Sequence, residues 1–194
     1  METMTAAEHQ ARSNRSYKLL LLVSMVSMIM IFAGLTSAFV VSKSRGDWMK
    51  DFHLPPAFWY STAVIIISSL TFHMSKVAIR KDDRKATTTW LFVTLFLGLL
   101  FVYLQFKGFG QIIADGHYFT GAQSNVTTTF LFVLAIVHLF HLFAGLISLI
   151  IIIFKHFKLK YNSSQYIGIE LGVIFWHFLD ALWLYLFLFL YFFK

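Results

Sequence analysis

The sequence predicts an all-α polytopic membrane protein of five transmembrane helices, with its amino terminus cytoplasmic and its carboxyl terminus periplasmic. Three observations lead there. Of 194 residues, 58% are hydrophobic and only 13% charged, 23 are Phe, and the mean hydropathy is +0.71; a soluble domain of this size has too little interior to hide so much apolar surface. Five apolar stretches each reach the ~20 residues that ~30 Å of hydrocarbon demands of a helix, whereas a barrel would show alternating segments of ~10 residues. The basic residues, finally, gather in every second connection.

The first eighteen residues hold Glu2 and Glu8, and no small-residue cleavage site follows a short apolar core. Residues 1–18 therefore read as a retained cytoplasmic tail and not as a signal peptide, ahead of a single transmembrane domain over 19–193. Helix 1, about 19–42, takes the charge-free run Leu19 to Ser42. The connection from Ser42 to Pro56 is long enough to fold over the outer surface, and Leu54-Pro55-Pro56 breaks regularity just before helix 2. Helix 2, about 57–79, is interrupted only by His73 and Lys76. Helix 3, about 87–106, is charge-free from Thr87 to Phe106, and Asp115-Gly116-His117 falls in the second outer connection. Helix 4, about 126–154, lies in a charge-free run, and helix 5, about 166–193, is broken by Glu170, His177 and Asp180. There is no internal repeat and no second domain.

Orientation follows from the Lys and Arg residues, which are unfavourable to translocate. One side holds Arg12, Arg15 and Lys18, then Lys76, Arg80, Lys81, Arg84 and Lys85, then Lys155, Lys158 and Lys160. The other holds Lys43, Arg45, Lys50, Lys107 and Lys194. The net charge of +7 is thus a topology signal. Nucleic acid is not expected as a partner, because the basic residues sit in short loops flanking membrane spans. With no cysteine in the chain, thiolate metal ligation, disulfides and thiol redox chemistry are excluded.

Polar residues inside the spans are the candidates for chemistry, since each opposes insertion. On helix 5, Glu170 and His177 are seven residues apart, about 20° out of register, and Asp180 lies about 80° round from Glu170. Helix 4 carries His138 and His141 on one face, and helix 2 carries His73 near its cytoplasmic end. His177 and the His138/His141 pair fall at similar depths, roughly 15–22 Å from one surface, which predicts a buried polar seam between helices 4 and 5. As a metal or haem site the seam needs converging ligands. As a structural cluster it needs only mutual hydrogen bonds, and this reading is the preferred one. A di-metal oxidase or desaturase is poorly supported without a Glu-x-x-His pair or repeated histidine boxes.

The remaining features have structural readings. Lys76 snorkels to the inner surface. Gly98, Gly145 and Gly172 allow close helix approach. Trp48, Trp59, Trp90 and Tyr191 suit an aromatic belt, and the Phe-rich faces suit lipid or helix contacts better than a quinone box. No nucleophile sits beside a base, and no loop resembles a phosphate cradle.

The run Phe175 to Tyr191, with Trp176, His177, Asp180 and Trp183 in that order, closely resembles the final helix of subunit III of haem-copper terminal oxidases. Upstream, His138-Leu139-Phe140-His141 followed by Gly145 resembles the penultimate helix of that family. Leu54-Pro55 with Ser61-Thr62, Ser68-Ser69 and Thr71 is similar to the helix preceding the basic loop, and Trp90 to Gln105, with Thr94 and Gly98, to the next. The resemblance covers roughly Tyr17 to Phe193. Two departures accompany it. The chain looks like the five-helix form where many members have seven helices, and it reads Ser27-Met28-Ile29-Met30 where many cytochrome oxidase members place a carboxylate after Ser.

The resemblance implies an accessory subunit of an oxidoreductase that reduces oxygen to water and pumps protons, with no catalytic centre in this chain. Haem and copper would reside in subunits I and II, and this chain would pack directly on subunit I, bind phospholipid and maintain the active centre in a bacterial inner membrane, within a respiratory supercomplex in some settings. His73, His138, His141, Glu170, His177 and Asp180 would form a structural and lipid-contacting polar cluster, with Trp176, Trp183, Gly98 and Gly145 as packing residues. The expected donor is cytochrome c, with a quinol oxidase or a nitric oxide reductase accessory subunit as alternatives. From other classes, an independent haem or metal protein would use His138, His141 and His177 as ligands. A small transporter would use Glu170, His177 and Asp180 as a proton relay, but it usually brings broken helices or an inverted repeat.

Overall fold

The computed structural model describes residues 5–46, 48, 54–116, 118–121, 125–163 and 165–193, so His117, Lys50 and Lys194 lie outside the described residues. Within them are five α-helices, each long and apolar enough to cross a membrane: α1 (Ala6–Ser42), α2 (Pro56–Arg80), α3 (Arg84–Ala114), α4 (Val126–Phe157) and α5 (Ile167–Phe193).

Local chemistry fixes where each begins and ends. Thr5 and Glu8 form a capping box that starts α1 well before Leu19. The helix runs on through the polar tail with help from a Gln10–Asn14 side-chain bond. Pro56 occupies the first turn of α2, where its missing N–H is not needed. After Arg80 the chain reverses through Asp82, held at φ 57, a left-handed conformation that Asp tolerates better than most residues. Asp83 then caps α3 by accepting from Ala86 N at 3.0 Å. Asn125 does the same for α4, accepting from Thr128 N at 2.9 Å.

Two helices outrun the apolar runs that predict them. The tail before Leu19 is helical from Ala6, and α3 continues past Phe106 through Lys107 to Ala114. A charge ends an apolar run but not a helix; in α3 the continuation is anchored by Gly108, whose added Cβ would lie 3.0 Å from the Phe58 ring. The turn arrives only at Asp115-Gly116, where Gly116 takes φ 82.

Helices α2, α3, α4 and α5 form a closed ring in which each packs on the next, and α2 with α3 is the most extensive contact. α1 lies outside this ring against α4 and α5 and does not pack on α2. Trp176 and Trp183 of α5 fill the centre and are almost wholly buried, with Phe72, Phe101, Leu142 and Leu179 around them. Small residues let the helices close on these rings. An added Cβ at Gly98 would lie 3.0 Å from the Trp176 ring, and one at Gly145 would lie 2.8 Å from Leu179. Gly172 presses on Ile152 and Phe72. Such close approach is how helices associate without a hydrophobic drive between them.

Candidate functional site

The polar groups buried in the bundle centre on α2. Its hydroxyls first satisfy their own hydrogens on the helix: Ser61 and Thr62 donate to the Phe58 carbonyl at 2.9 and 2.8 Å, and Ser75 to Phe72 at 2.8 Å. The oxygen lone pairs are then free to accept from neighbouring helices. Trp183 Nε1 donates to Thr62 Oγ1 at 3.0 Å, and Trp176 Nε1 donates to Ser68 Oγ at 3.1 Å. The tryptophans are seven residues apart on α5 and their acceptors six apart on an antiparallel helix, so both bonds form in one register. From the other side, Gln105 of α3 donates to Ser61 Oγ at 2.8 Å, and the Thr71 and Thr94 hydroxyls pair at 2.9 Å.

Once both tryptophans are pinned to α2, His177 is carried to that helix's outer edge. Its Nδ1 pairs with the Ser69 hydroxyl, and its ring centroid lies 5.8 Å from that of His73. Asp180 is buried and faces the same Ser69 hydroxyl without reaching hydrogen-bond geometry, and neither of its oxygens finds another partner. Nearer the end of the bundle where α2 finishes and α5 begins, Glu170 sits between Lys18 of α1 at 3.0 Å and Lys76 of α2 at 3.8 Å. Lys18 is nearly half exposed, so that pair orients the helices more than it stabilises them.

The same end is tied by three further bonds. Arg80 donates to the Tyr166 hydroxyl at 3.0 Å, Arg84 donates to the Tyr161 carbonyl at 3.1 Å, and the Thr88 hydroxyl pairs with His156 Nε2 at 3.0 Å. Tyr161, in the α4–α5 connection, is buried, and burial pushes its phenol above the usual range.

The histidines of α4 do not join α5 in a common seam, contrary to what their matching depths predict. His138 is completely buried with no partner on either ring nitrogen. It is boxed by Trp183, Phe101 and Phe32, with centroids at 5.2, 6.2 and 6.4 Å. His141 lies against Phe32 and places Nδ1 2.8 Å from the Val137 carbonyl of its own helix. The physical reason is the rotation of α5: the tryptophan bonds to α2 turn His177 toward α2 and leave aromatic surface against His138. Among the described residues no three His, Asp or Glu side chains converge where a metal ion could be held. His138, His141 and His177 therefore do not converge as a three-ligand metal set.

The α2 hydroxyls, Gln105 and the pair Tyr185–Thr36, joined at 3.3 Å between α5 and α1, are contacts that the polar-residue reading did not single out. The recoverable signal is the spacing of Ser and Thr along α2, which matches that of the α5 tryptophans.

Comparison with known proteins agrees with this architecture. All of residues 1–194 match the family described as cytochrome c oxidase subunit III. The chain is 28% identical to cytochrome c oxidase subunit 3 of Thermostichus vulcanus, over 97% of this chain and 93% of that protein. It is 29% identical to cytochrome bo(3) ubiquinol oxidase subunit 3 of Buchnera aphidicola, over 87% of this chain and 89% of that protein. Against cytochrome c oxidase subunit 3 of Bos taurus it is 30% identical over 68% of this chain and 48% of the longer relative. With five membrane-length helices and a whole-length match, the chain belongs to the cytochrome c oxidase subunit III family, the third subunit of haem-copper terminal oxidases.

Proposed function

We propose that this chain is a non-catalytic subunit whose work is mechanical: it packs directly on subunit I, with subunit II in the same complex, and keeps the oxygen-reducing, proton-pumping centre intact. Haem and copper belong to those partner subunits and supply the redox chemistry there. The observation that carries this reading is the use of the polar side chains of α5. Trp176, Trp183, His177 and Glu170 each join another helix of the bundle, so they hold helices together and are not aimed at a shared reaction point.

The same reading places the chain in a bacterial inner membrane with the amino terminus inside. His73, Lys76, Glu170 and the basic loops line the inner surface, where they contact phospholipid head groups. The donor is taken as cytochrome c, following the relative from Thermostichus vulcanus that spans nearly the whole of both chains. The ubiquinol oxidase relative is as similar and makes quinol the second reading. The donor is decided in subunit II, where a binuclear copper site marks a cytochrome c oxidase.

The deciding experiment is a tagged pull-down from native membranes in mild detergent, with reduced-minus-oxidised spectra and mass spectrometry, beside the chain expressed alone. Haem bands and copper-binding companions in the native eluate, and none with the isolated chain, are expected. Haem on the isolated chain would overturn the reading.

A further inference from the structure

His156 is a buried ionisable side chain that its surroundings leave half satisfied. It lies in the last turn of α4, just past the charge-free run that ends at Phe154, and is only 4% exposed. On α3 it pairs with the Thr88 hydroxyl at 3.0 Å. That hydroxyl gives its own hydrogen to the Arg84 carbonyl at 2.9 Å, so toward His156 it accepts, and the ring hydrogen is assigned to Nε2. Nδ1 is then the bare lone pair, buried without a hydrogen-bond partner. A proton added to this ring adds there.

The groups around the ring favour its neutral form. The Arg84 guanidinium opposes a second cation beside it, while the Arg84 carbonyl favours one. Nη2 of that guanidinium is spent on the Tyr161 carbonyl at 3.1 Å, and Nη1 is buried without a partner. Carboxylates of this end are committed elsewhere: Asp83 accepts from Ala86 N, and Glu170 lies between Lys18 and Lys76, while Asp82 is exposed in the turn. The carboxyl end of α4 attracts cations, but Lys155 and Lys158 already stand there.

The junction bridged by this pair has little else to hold it. On one side the α2–α3 turn and the start of α3 carry Arg80, Lys81, Arg84 and Lys85; on the other the end of α4 and its connection to α5 carry Lys155, Lys158 and Lys160. Two cationic connections are thus drawn together by the hydrogen bonds of Arg80 to Tyr166, Arg84 to Tyr161 and His156 to Thr88. The second connection is also tightly wound. Leu159 closes α4 at φ 55, and the N–H groups of Leu159 and Lys160 bond back to the His156 and Lys155 carbonyls at 3.0 and 3.1 Å. That left-handed position is usually a glycine, and a leucine there stores backbone strain that opening releases.

We propose that His156 is the titrating element of a latch between the start of α3 and the α4–α5 connection: the neutral ring closes it, and a proton taken up from water at Nδ1 releases Thr88 and frees the connection. The inference goes beyond the subunit III reading and stands on the bundle alone. A proton on Nδ1 has no acceptor in the closed form and has water in the open one, so the open form binds more protons. The closed form is therefore fully stable above the ordinary histidine value of about 6.5 and loses stability as pH falls below it.

The test is amide hydrogen exchange of the tagged full chain in its purified complex, read by mass spectrometry at about pH 7.5 and about pH 5.5, with each rate divided by that of an unstructured peptide at the same pH. Protection over 84–90 and 155–161 is expected to fall about tenfold per pH unit below about 6.5, the slope for one proton. His156→Gln keeps an N–H for Thr88 but cannot titrate, so its protection should not change with pH. Thr88→Val removes the acceptor and should show, already at neutral pH, the low protection that the unaltered chain shows only in acid. Should His156→Gln fail to assemble, Thr88→Val reads the same contact from the other side. Constant protection in the unaltered chain, an equal acid loss in His156→Gln, or full protection in Thr88→Val would each overturn the latch.

Discussion

His138 and His177 are the same residue type at similar depth in one bundle, and they are expected to behave oppositely when replaced. His138 touches three aromatic rings and hydrogen-bonds to nothing, so His138→Leu removes no bond and spares a buried polar ring its desolvation. Replacing a buried polar group that lacks partners by an apolar one of similar size is near neutral or stabilising. We expect unchanged complex yield and an unchanged or longer thermal half-life. His177, by contrast, pairs with the Ser69 hydroxyl of α2. Replacing His177 by Leu should shorten the half-life of the purified oxidase while leaving haem reduction intact, and normal yield and lifetime in that variant would remove the structural role assigned to it. Trp176, His177, Asp180 and Trp183 could be picked out in the sequence because polar and indole groups in a membrane span stand out. Their partners could not, since Ser and Thr can satisfy themselves on their own helix and so leave no mark that they also accept from a neighbour.

Among the elements, α3, α4 and α5 meet through glycines, and the atoms opposite each glycine decide how much a methyl group would disturb. At Gly98 the added Cβ would meet the Trp176 indole at 3.0 Å and Leu146 at 3.1 Å. The indole is rigid and held by its bond to Ser68, so it cannot yield without breaking that bond. At Gly145 the closest atom, at 2.8 Å, is a terminal methyl of Leu179, with the Trp176 ring at an ordinary 3.5 Å. A methyl at the end of a side chain can rotate away. Gly98→Ala is therefore expected to destabilise more than Gly145→Ala despite its longer distance, within the ~1–3 kcal/mol typical of overpacking. Thermal unfolding midpoints of the two variant complexes check the order, and a larger loss at Gly145 would show that Leu179 is the more tightly held. That these glycines mark packing could be read from the sequence; which ring each faces could not, because it depends on how α5 is rotated by its bonds to α2. Helix ends behaved similarly. The apolar runs located all five helices, but they stopped at Lys18 and Lys107, where the helices did not.

For the whole molecule, the unequal distribution of basic residues makes a claim about direction that packing alone does not. The Glu170 contacts with Lys18 and Lys76, together with Arg80, Arg84, Tyr161 and Tyr166, gather at one end of the bundle, the end that carries most of the Lys and Arg residues. Cationic loops resist translocation, so this end should face the cytoplasm. Because the chain has no cysteine, single introduced thiols report this without background from the chain itself. Ser44 lies just past the end of α1, and Ser163 lies in the α4–α5 connection; both are exposed. In intact cells an impermeant maleimide is expected to label Ser44→Cys but not Ser163→Cys until the membrane is permeabilised. The opposite pattern would put the Glu170 cluster outside and move the His73–His177 pair to the outer leaflet. In that case the Lys and Arg residues of this end would face away from the negatively charged inner leaflet, and their assignment to inner-surface lipid would fail with it.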